Sequence, residues 1–166
     1  MRYRVQRGFV QVTARAAAEA GAVKFEKLDG TIEFDPDDPR SARAELRLDL
    51  LVHDTGDRLQ NWKIGGDLEA LGEPTVTWNL MRLEAREPTA AHWSGSAIGQ
   101  LRWRSFAATV TIRGEAAVNP RRIDARGSFD VPIRALGIPA AKFFVSEDPA
   151  GTLTVQVSVV AWATGR

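Results

Sequence analysis

The chain has 166 residues, 44% of them apolar and 26% charged, with a net charge of +1; this is the composition of one ordinary globular domain, spanning residues 1–166. The balanced charge gives no indication of a nucleic-acid partner, and the absence of cysteine excludes disulfides, thiolate metal sites and cysteine nucleophiles. Two histidines are too few for a multi-histidine metal site, and no apolar run approaches the ~18 residues of a membrane-spanning helix.

Alternating apolar and polar residues predict about eight β-strands. In the longest such segment, 41–52, small and large apolar residues alternate with arginine, glutamate and aspartate, which is typical of a strand with one buried and one solvated face. The other predicted strands are residues 9–15, 30–35, 75–82, 99–104, 108–113, 126–133 and 152–162. Long strands without intervening helices favour a closed barrel or a sandwich, and their length favours a barrel with an interior.

Residues 54–71 interrupt the strand pattern. They begin with residues suited to capping a helix, and Leu59 and Trp62 follow at the i, i+3 spacing of a helix face. We therefore predict a short helix in about residues 56–71. The adjacent glycines at 65 and 66 are expected to end its first turns, and a further turn is expected before the next proline enforces extended backbone.

Five segments occur in an order and spacing shared with a known family. They are Gly30-Thr31-Ile32-Glu33-Phe34-Asp35-Pro36-Asp37-Asp38-Pro39, the long alternating strand, Asp54-Thr55-Gly56 with Arg58, Pro74-Thr75-Val76-Thr77-Trp78, and Gly99-Gln100-Leu101-Arg102-Trp103. In these residues the chain resembles the YceI-like family of polyisoprenoid-binding proteins. It departs from that family at Asn61, where the family tends to have histidine, at Asp67, where it has an aromatic residue, and at Ser105, where it has glycine.

The resemblance implies an all-β fold, an antiparallel eight-stranded, extended lipocalin-like β-barrel with the short helix between strands. It also implies binding, without catalysis, cofactor or metal, of a long-chain amphiphile in an apolar tunnel: a polyisoprenoid, an isoprenoid quinone or a fatty-acid-like molecule. Each buried CH₂ contributes about 0.8 kcal/mol, so a chain of roughly ten or more carbons could bind tightly without a charged contact.

The inward positions of the predicted strands mix small side chains such as Ala42 and Ala44 with large ones, which would leave an apolar channel. We expect Leu59 and Trp62 of the helix to lie near its mouth, as a plug or as a ligand gate. The residues expected to line the channel are Leu46, Leu48, Val76, Trp78, Leu80, Leu101, Trp103, Val110, Ile112, Phe129 and Val131.

A second hypothesis is a ligand-free interaction or membrane-surface module with a filled barrel core. Residues 101–135 contain seven arginines against Glu115, Asp124 and Asp130, so this outer face could contact a partner or an anionic membrane surface. A nucleic-acid partner is disfavoured, because strand alternation places Trp103 inside and its neighbouring arginines outside. A homodimer is possible. A cavity on the barrel axis would distinguish the lipid carrier, which requires one, from the ligand-free module, whose core is filled.

The compartment stays open at this stage. Residues 1–7 are basic like the start of a signal peptide, but the apolar segment that should follow is missing. The resemblance implies a periplasmic or secreted protein if a signal has been removed, whereas a chain that is native as written would be cytoplasmic.

Overall fold

The computed structural model describes residues 1–14, 22–86, 91–136 and 151–165, which contain ten β-strands and one α-helix. The strands are β1 (Arg2–Ala14), β2 (Ala22–Phe25), β3 (Leu28–Glu33), β4 (Arg43–Asp49), β5 (His53–Asp54), β6 (Thr75–Arg86), β7 (His92–Trp103), β8 (Phe106–Asn119), β9 (Arg122–Pro132) and β10 (Thr152–Ala163). The helix α1 (Arg58–Leu71) lies between β5 and β6, and short 3₁₀ turns occur at Pro39–Ser41 and Ile133–Leu136. None of the described helices is long and apolar enough to cross a bilayer.

Eight of these strands form a closed antiparallel barrel, as the sequence predicts. The order around the barrel is β1, β3, β4, β6, β7, β8, β9 and β10, and β10 pairs with β1 along eleven residue pairs to close the ring. β1 pairs with β3 near its start and with β2 near its end, and β2 pairs in turn with β5. Closure leaves these eight strands without a long unpaired edge.

The observed strands differ from the predicted ones mainly in length. β7 and β8 extend well beyond 99–104 and 108–113, since their remaining inward residues are mostly glycine and alanine and give no strong apolar alternation. β4 is shorter than 41–52, and the two short strands β2 and β5 were not predicted. A bulge at Met81 in β6 shifts the inward positions from Leu80 to Leu83 and interrupts the period of two. Arg15, the predicted end of the first strand, lies outside the described residues.

Helix α1 is continuous across Gly65 and Gly66, so the predicted break there is wrong. Asp57 caps its first turn by accepting hydrogen bonds from the backbone N–H groups of Leu59 (2.8 Å) and Gln60 (3.1 Å). The helix ends at Gly72, which has a left-handed φ of 74°. Two glycines within a helix cost about 1 kcal/mol each, and burial of the inner face of α1 against the barrel offsets that cost.

Candidate ligand cavity

Two apolar cavities lie inside the described part of the barrel. One, the helix-side chamber, has a volume of about 130 Å³ and is covered at its open end by Ile64 and Leu68 of α1. The other, the distal chamber, has a volume of about 180 Å³ and is closed at the far end by Phe34 and Trp93. These two rings meet edge to face, with their centroids 5.1 Å apart.

Large side chains form the wall of the helix-side chamber. Trp103, at the end of β7, lies in this wall and is buried, and its indole Nε1 donates a hydrogen bond to the carbonyl oxygen of Glu73 (2.9 Å). That bond fastens the segment after α1 to the barrel. The other aromatic residues of the wall are Phe25, Trp78, Phe106 and Phe129.

Small side chains create the space in the distal chamber. Alternate residues of β7, β8 and β9 point into it, and most of them are alanine or glycine; β4 and β6 each add one alanine. The small residues that line it are Ala42, Ala44, Ala85, Gly95, Ala97, Gly114, Ala116, Ala125 and Gly127. Because close packing would otherwise fill a barrel of this size, the cavity is a consequence of these residues.

Ten of the eleven residues predicted to line the channel lie in the two walls. The helix-side wall contains Leu46, Leu48, Val76, Trp78, Leu101, Trp103, Ile112, Phe129 and Val131, and the distal wall adds Leu80. Val110 is buried but lines neither chamber. The sequence prediction missed most of the distal wall, because the alternating alanines and glycines of β7 to β9 give no strong apolar periodicity.

Leu59 and Trp62 do not lie at the mouth. They are on the outer face of α1, with 79% and 81% of their surfaces exposed. The residues of α1 that pack inward are Ile64 and Leu68, with Leu71 partly buried against the core, and helical spacing places these three on the face opposite to Trp62. The plug expected from Trp62 is therefore made by the opposite face of the same helix.

A polar network holds the start of α1 against the β4–β5 connection. The Asn61 carboxamide oxygen accepts from the Thr55 backbone N–H (2.8 Å) and hydroxyl (2.7 Å). The two ring nitrogens of His53 lie 3.0 Å from the carbonyl oxygen of Leu50 and 2.9 Å from that of Asn61. A neutral imidazole donates to one of these carbonyls and an imidazolium to both. Helix α1 is the lid of the helix-side chamber. Asn61, where the family tends to have histidine, thus anchors this lid rather than facing the cavity.

Asp54 belongs to the same network. Its carboxylate accepts from the Gly56 backbone N–H (2.7 Å) and the Asn61 side-chain amide (3.3 Å). These hydrogen bonds, the backbone one foremost, hold the pKa of Asp54 below its usual range. The network gives His53 and Asp54 a structural role at the lid.

The arginines of residues 101–134 do not form one patch. Arg104 lies in the turn between β7 and β8, and Arg121 lies in the turn between β8 and β9 at the opposite end of the barrel. Arg102 donates to the Gln100 side chain (2.9 Å), and Arg122 donates to Asp124 (2.9 Å). Because these side chains are spread along the strands and over both ends of the barrel, they make an ordinary solvated outer face.

Solved structures with the same architecture place this barrel among known folds. BcnA of Burkholderia cenocepacia is 18% identical over 95% of this chain and 96% of its own, with a TM-score of 0.74. A polyisoprenoid-binding domain from Saccharophagus degradans, implicated in plant cell wall breakdown, is 14% identical over 98% of both chains, with a TM-score of 0.68. A Campylobacter jejuni YceI protein is 10% identical over 86% of this chain and 85% of its own, with a TM-score of 0.62.

The chain has the YceI fold. At such low identities the likeness concerns the fold, and no protein-family model or curated protein matches the sequence. One departure from the YceI-like pattern is resolved by the structure: the turn with Ser105 in place of glycine remains a tight two-residue connection, since Trp103 pairs with Phe106. Arg104 takes the left-handed conformation there, with a φ of 56°.

Proposed function

We propose that this protein binds a long-chain amphiphile, of the polyisoprenoid, isoprenoid-quinone or fatty-acid class, inside the barrel and stores or carries it. The observation that supports this proposal is the pair of apolar chambers along the barrel axis. A ligand chain in such a space gains about 0.8 kcal/mol for each CH₂ it buries and requires no charged partner. The proposed role is binding rather than catalysis, in line with the polyisoprenoid-binding domain that shares the fold.

The chambers favour the carrier over a ligand-free module. A filled core would leave no space for a chain, whereas alanine and glycine at inward positions of five strands keep the distal chamber open. The arginine-rich outer face that the module hypothesis requires is spread over both ends of the barrel and partly neutralised by ion pairs such as Arg122 with Asp124.

Native mass spectrometry of protein purified from its host, followed by lipid extraction, tests the proposal directly. The expected result is a stoichiometric adduct a few hundred daltons above the 18.2 kDa chain. A clean apo mass that stays clean after incubation with long-chain quinones, polyprenols and fatty acids would contradict it.

A pair of neighbouring substitutions locates the ligand. Ala116 faces the distal chamber, and Ala117, the next residue of β8, is exposed on the outside. Ala116→Leu is expected to fill part of the chamber and weaken long-chain binding at least tenfold, and Ala117→Leu adds the same side chain outside and is expected to leave binding unchanged. Equal effects of the two substitutions would place the ligand elsewhere.

A further inference from the structure

A waist separates the two chambers. Four side chains line both of them: Leu46 of β4, Trp78 of β6, Ile112 of β8 and Val157 of β10. Leu46 and Trp78 are direct cross-strand partners, and the other two lie on the opposite part of the barrel wall. Any chain that occupies both chambers must pass between these four residues.

Glycines in the wall determine how the waist side chains lie. A Cβ at Gly99 would be 2.5 Å from Cε2 and 2.6 Å from Cζ2 of Trp78, so the indole packs flat on a strand that has no side chain there. Gly127 accommodates Ile112 in the same way, since a Cβ there would overlap Ile112 Cγ2. The two largest waist residues therefore lie against the wall, and the passage between the chambers runs between them and the other two waist residues.

We propose that this waist, with Trp78 as its specificity-determining residue, sets the chain-length preference of the ligand site. Short chains fill the helix-side chamber alone, and longer chains reach the distal chamber only by passing Trp78. This inference rests on the proposed lipid-binding function and adds the class of ligand that it selects, namely a lipid with one slender chain rather than two.

A homologous series of saturated fatty acids from about ten to about twenty carbons tests the waist. In the native protein, affinity is expected to rise by about fourfold per CH₂ until the chain reaches the waist, and then to rise less steeply. Trp78→Leu is expected to remove that break in slope, and Ala116→Leu to weaken only the chains that extend beyond it.

Trp162→Leu is the matched control, because it makes the same change in β10 at a residue that is 37% exposed and lines neither chamber, and it is expected to leave the break at its original chain length. Ile112→Val widens the waist with little risk to folding and is expected to make the break in slope smaller, as Trp78→Leu does to a greater extent. A break that is unchanged in both waist variants would overturn the proposal, whereas a native protein that binds neither this series nor polyprenols or long-chain quinones would contradict the lipid-binding function itself.

A separate observation concerns the outer face of α1. Trp62 and Leu59 are 81% and 79% exposed, and helical spacing places Gly66, Ala70 and the exposed Glu69 on the same face. Arg58 and Lys63 border the part of this face that carries Trp62 and Leu59, and both are exposed. An exposed tryptophan and leucine between two cations match the interfacial region of a phospholipid bilayer, where Trp prefers to lie and Lys and Arg reach the phosphates.

We infer that this face of α1 docks the barrel onto a phospholipid membrane, with the lid of the helix-side chamber at the bilayer surface. A second copy of the chain is a poorer occupant, because these side chains offer a few hundred Å², short of the roughly 800 Å² per partner typical of a stable dimer. The inference does not depend on a ligand in the barrel, and it differs from contact through the arginine-rich strands.

Sedimentation with vesicles of phosphatidylcholine containing about one quarter phosphatidylglycerol tests the docking. The double variant Leu59→Gln, Trp62→Gln is expected to lose at least tenfold in binding, and Arg58→Gln, Lys63→Gln to weaken binding to these vesicles more than to pure phosphatidylcholine. Met81→Gln is the control, since it removes another highly exposed apolar residue (66%) from the barrel side. Unchanged binding of the Leu59/Trp62 variant, or a dimer that this variant dissociates, would overturn the inference.

Discussion

At the scale of single residues, two equally buried tryptophans have different hydrogen bonding. Trp93 and Trp103 are each 7% exposed, but Nε1 of Trp103 donates to Glu73, whereas Nε1 of Trp93 has no partner among the described residues. An unmet buried donor costs about 1–3 kcal/mol, while a formed hydrogen bond contributes about 1 kcal/mol. Trp103→Phe is therefore expected to lower the free energy of unfolding by about 2 kcal/mol more than Trp93→Phe, as measured by urea denaturation. Equal losses would mean that the Trp93 donor is satisfied in solution.

Asp54 gives a second residue-scale prediction, on pH. Because its folded pKa is lowered, first by the Gly56 N–H and then by Asn61, its charged form contributes stability that is present above the ordinary carboxyl pKa of about 3.9 and is lost as the pH falls through the folded value. Carboxyl NMR titration is expected to place the midpoint below the ordinary value, and Asn61→Ala to move it upward. A midpoint that Asn61→Ala leaves unchanged would show that this side chain does not hold the charge.

At the scale of the element, substitution of its glycines is expected to change the stability of helix α1 in opposite directions at Gly66 and at Gly72. A Cβ at Gly66 or at Gly72 would meet nothing within 4 Å, but Gly66 is in mid-helix and Gly72 has a φ of 74°. Gly66→Ala is expected to stabilise α1 by about 0.5–1 kcal/mol, and Gly72→Ala to destabilise it by about 1 kcal/mol, because only the second forces a side chain into the left-handed region. Amide hydrogen exchange of residues 58–71 measures both. If both substitutions stabilise α1, or both destabilise it, the assignment of Gly72 as a left-handed C-cap would be contradicted.

The lid depends on its polar anchor as much as on its buried face. Ile64 and Leu68 contribute only two buried side chains, so the Asn61, Thr55 and Asp54 network carries a large share of the attachment of α1. Asn61→Ala is expected to speed amide exchange across α1 at least tenfold while leaving β7 and β8 protected. Gln60→Ala changes a neighbouring side chain outside this network and serves as the control. Equal exchange in the native chain and Asn61→Ala would assign the attachment to packing alone.

At the scale of the whole molecule, the sequence predicts the barrel better than it predicts the site. The alternation of apolar and polar residues in β4 and β10 indicates strands that are buried on one face, and the strands of any antiparallel barrel show this pattern. The distal chamber is made by residues with little side chain, such as Gly95 and Gly127, which give no apolar periodicity. The outward position of Trp62 does not follow from hydrophobicity, because Leu59 and Trp62 are large apolar residues just as the inward Ile64 and Leu68 are.

The chambers also couple ligand binding to the stability of the whole barrel. An unfilled cavity costs about 24 cal/mol for each Å³ left empty, so the ligand-free barrel is less stable than a filled one would be. Ala116→Leu is expected to raise the free energy of unfolding of the ligand-free protein by about 1 kcal/mol and to reduce the stabilisation that added ligand produces. Ala117→Leu, on the outer face of the same strand, is expected to change neither quantity. If Ala116→Leu destabilises the ligand-free barrel by 1 kcal/mol or more in thermal unfolding, the distal chamber cannot accept a larger side chain, and a chain-sized ligand would not fit there without rearrangement of the wall.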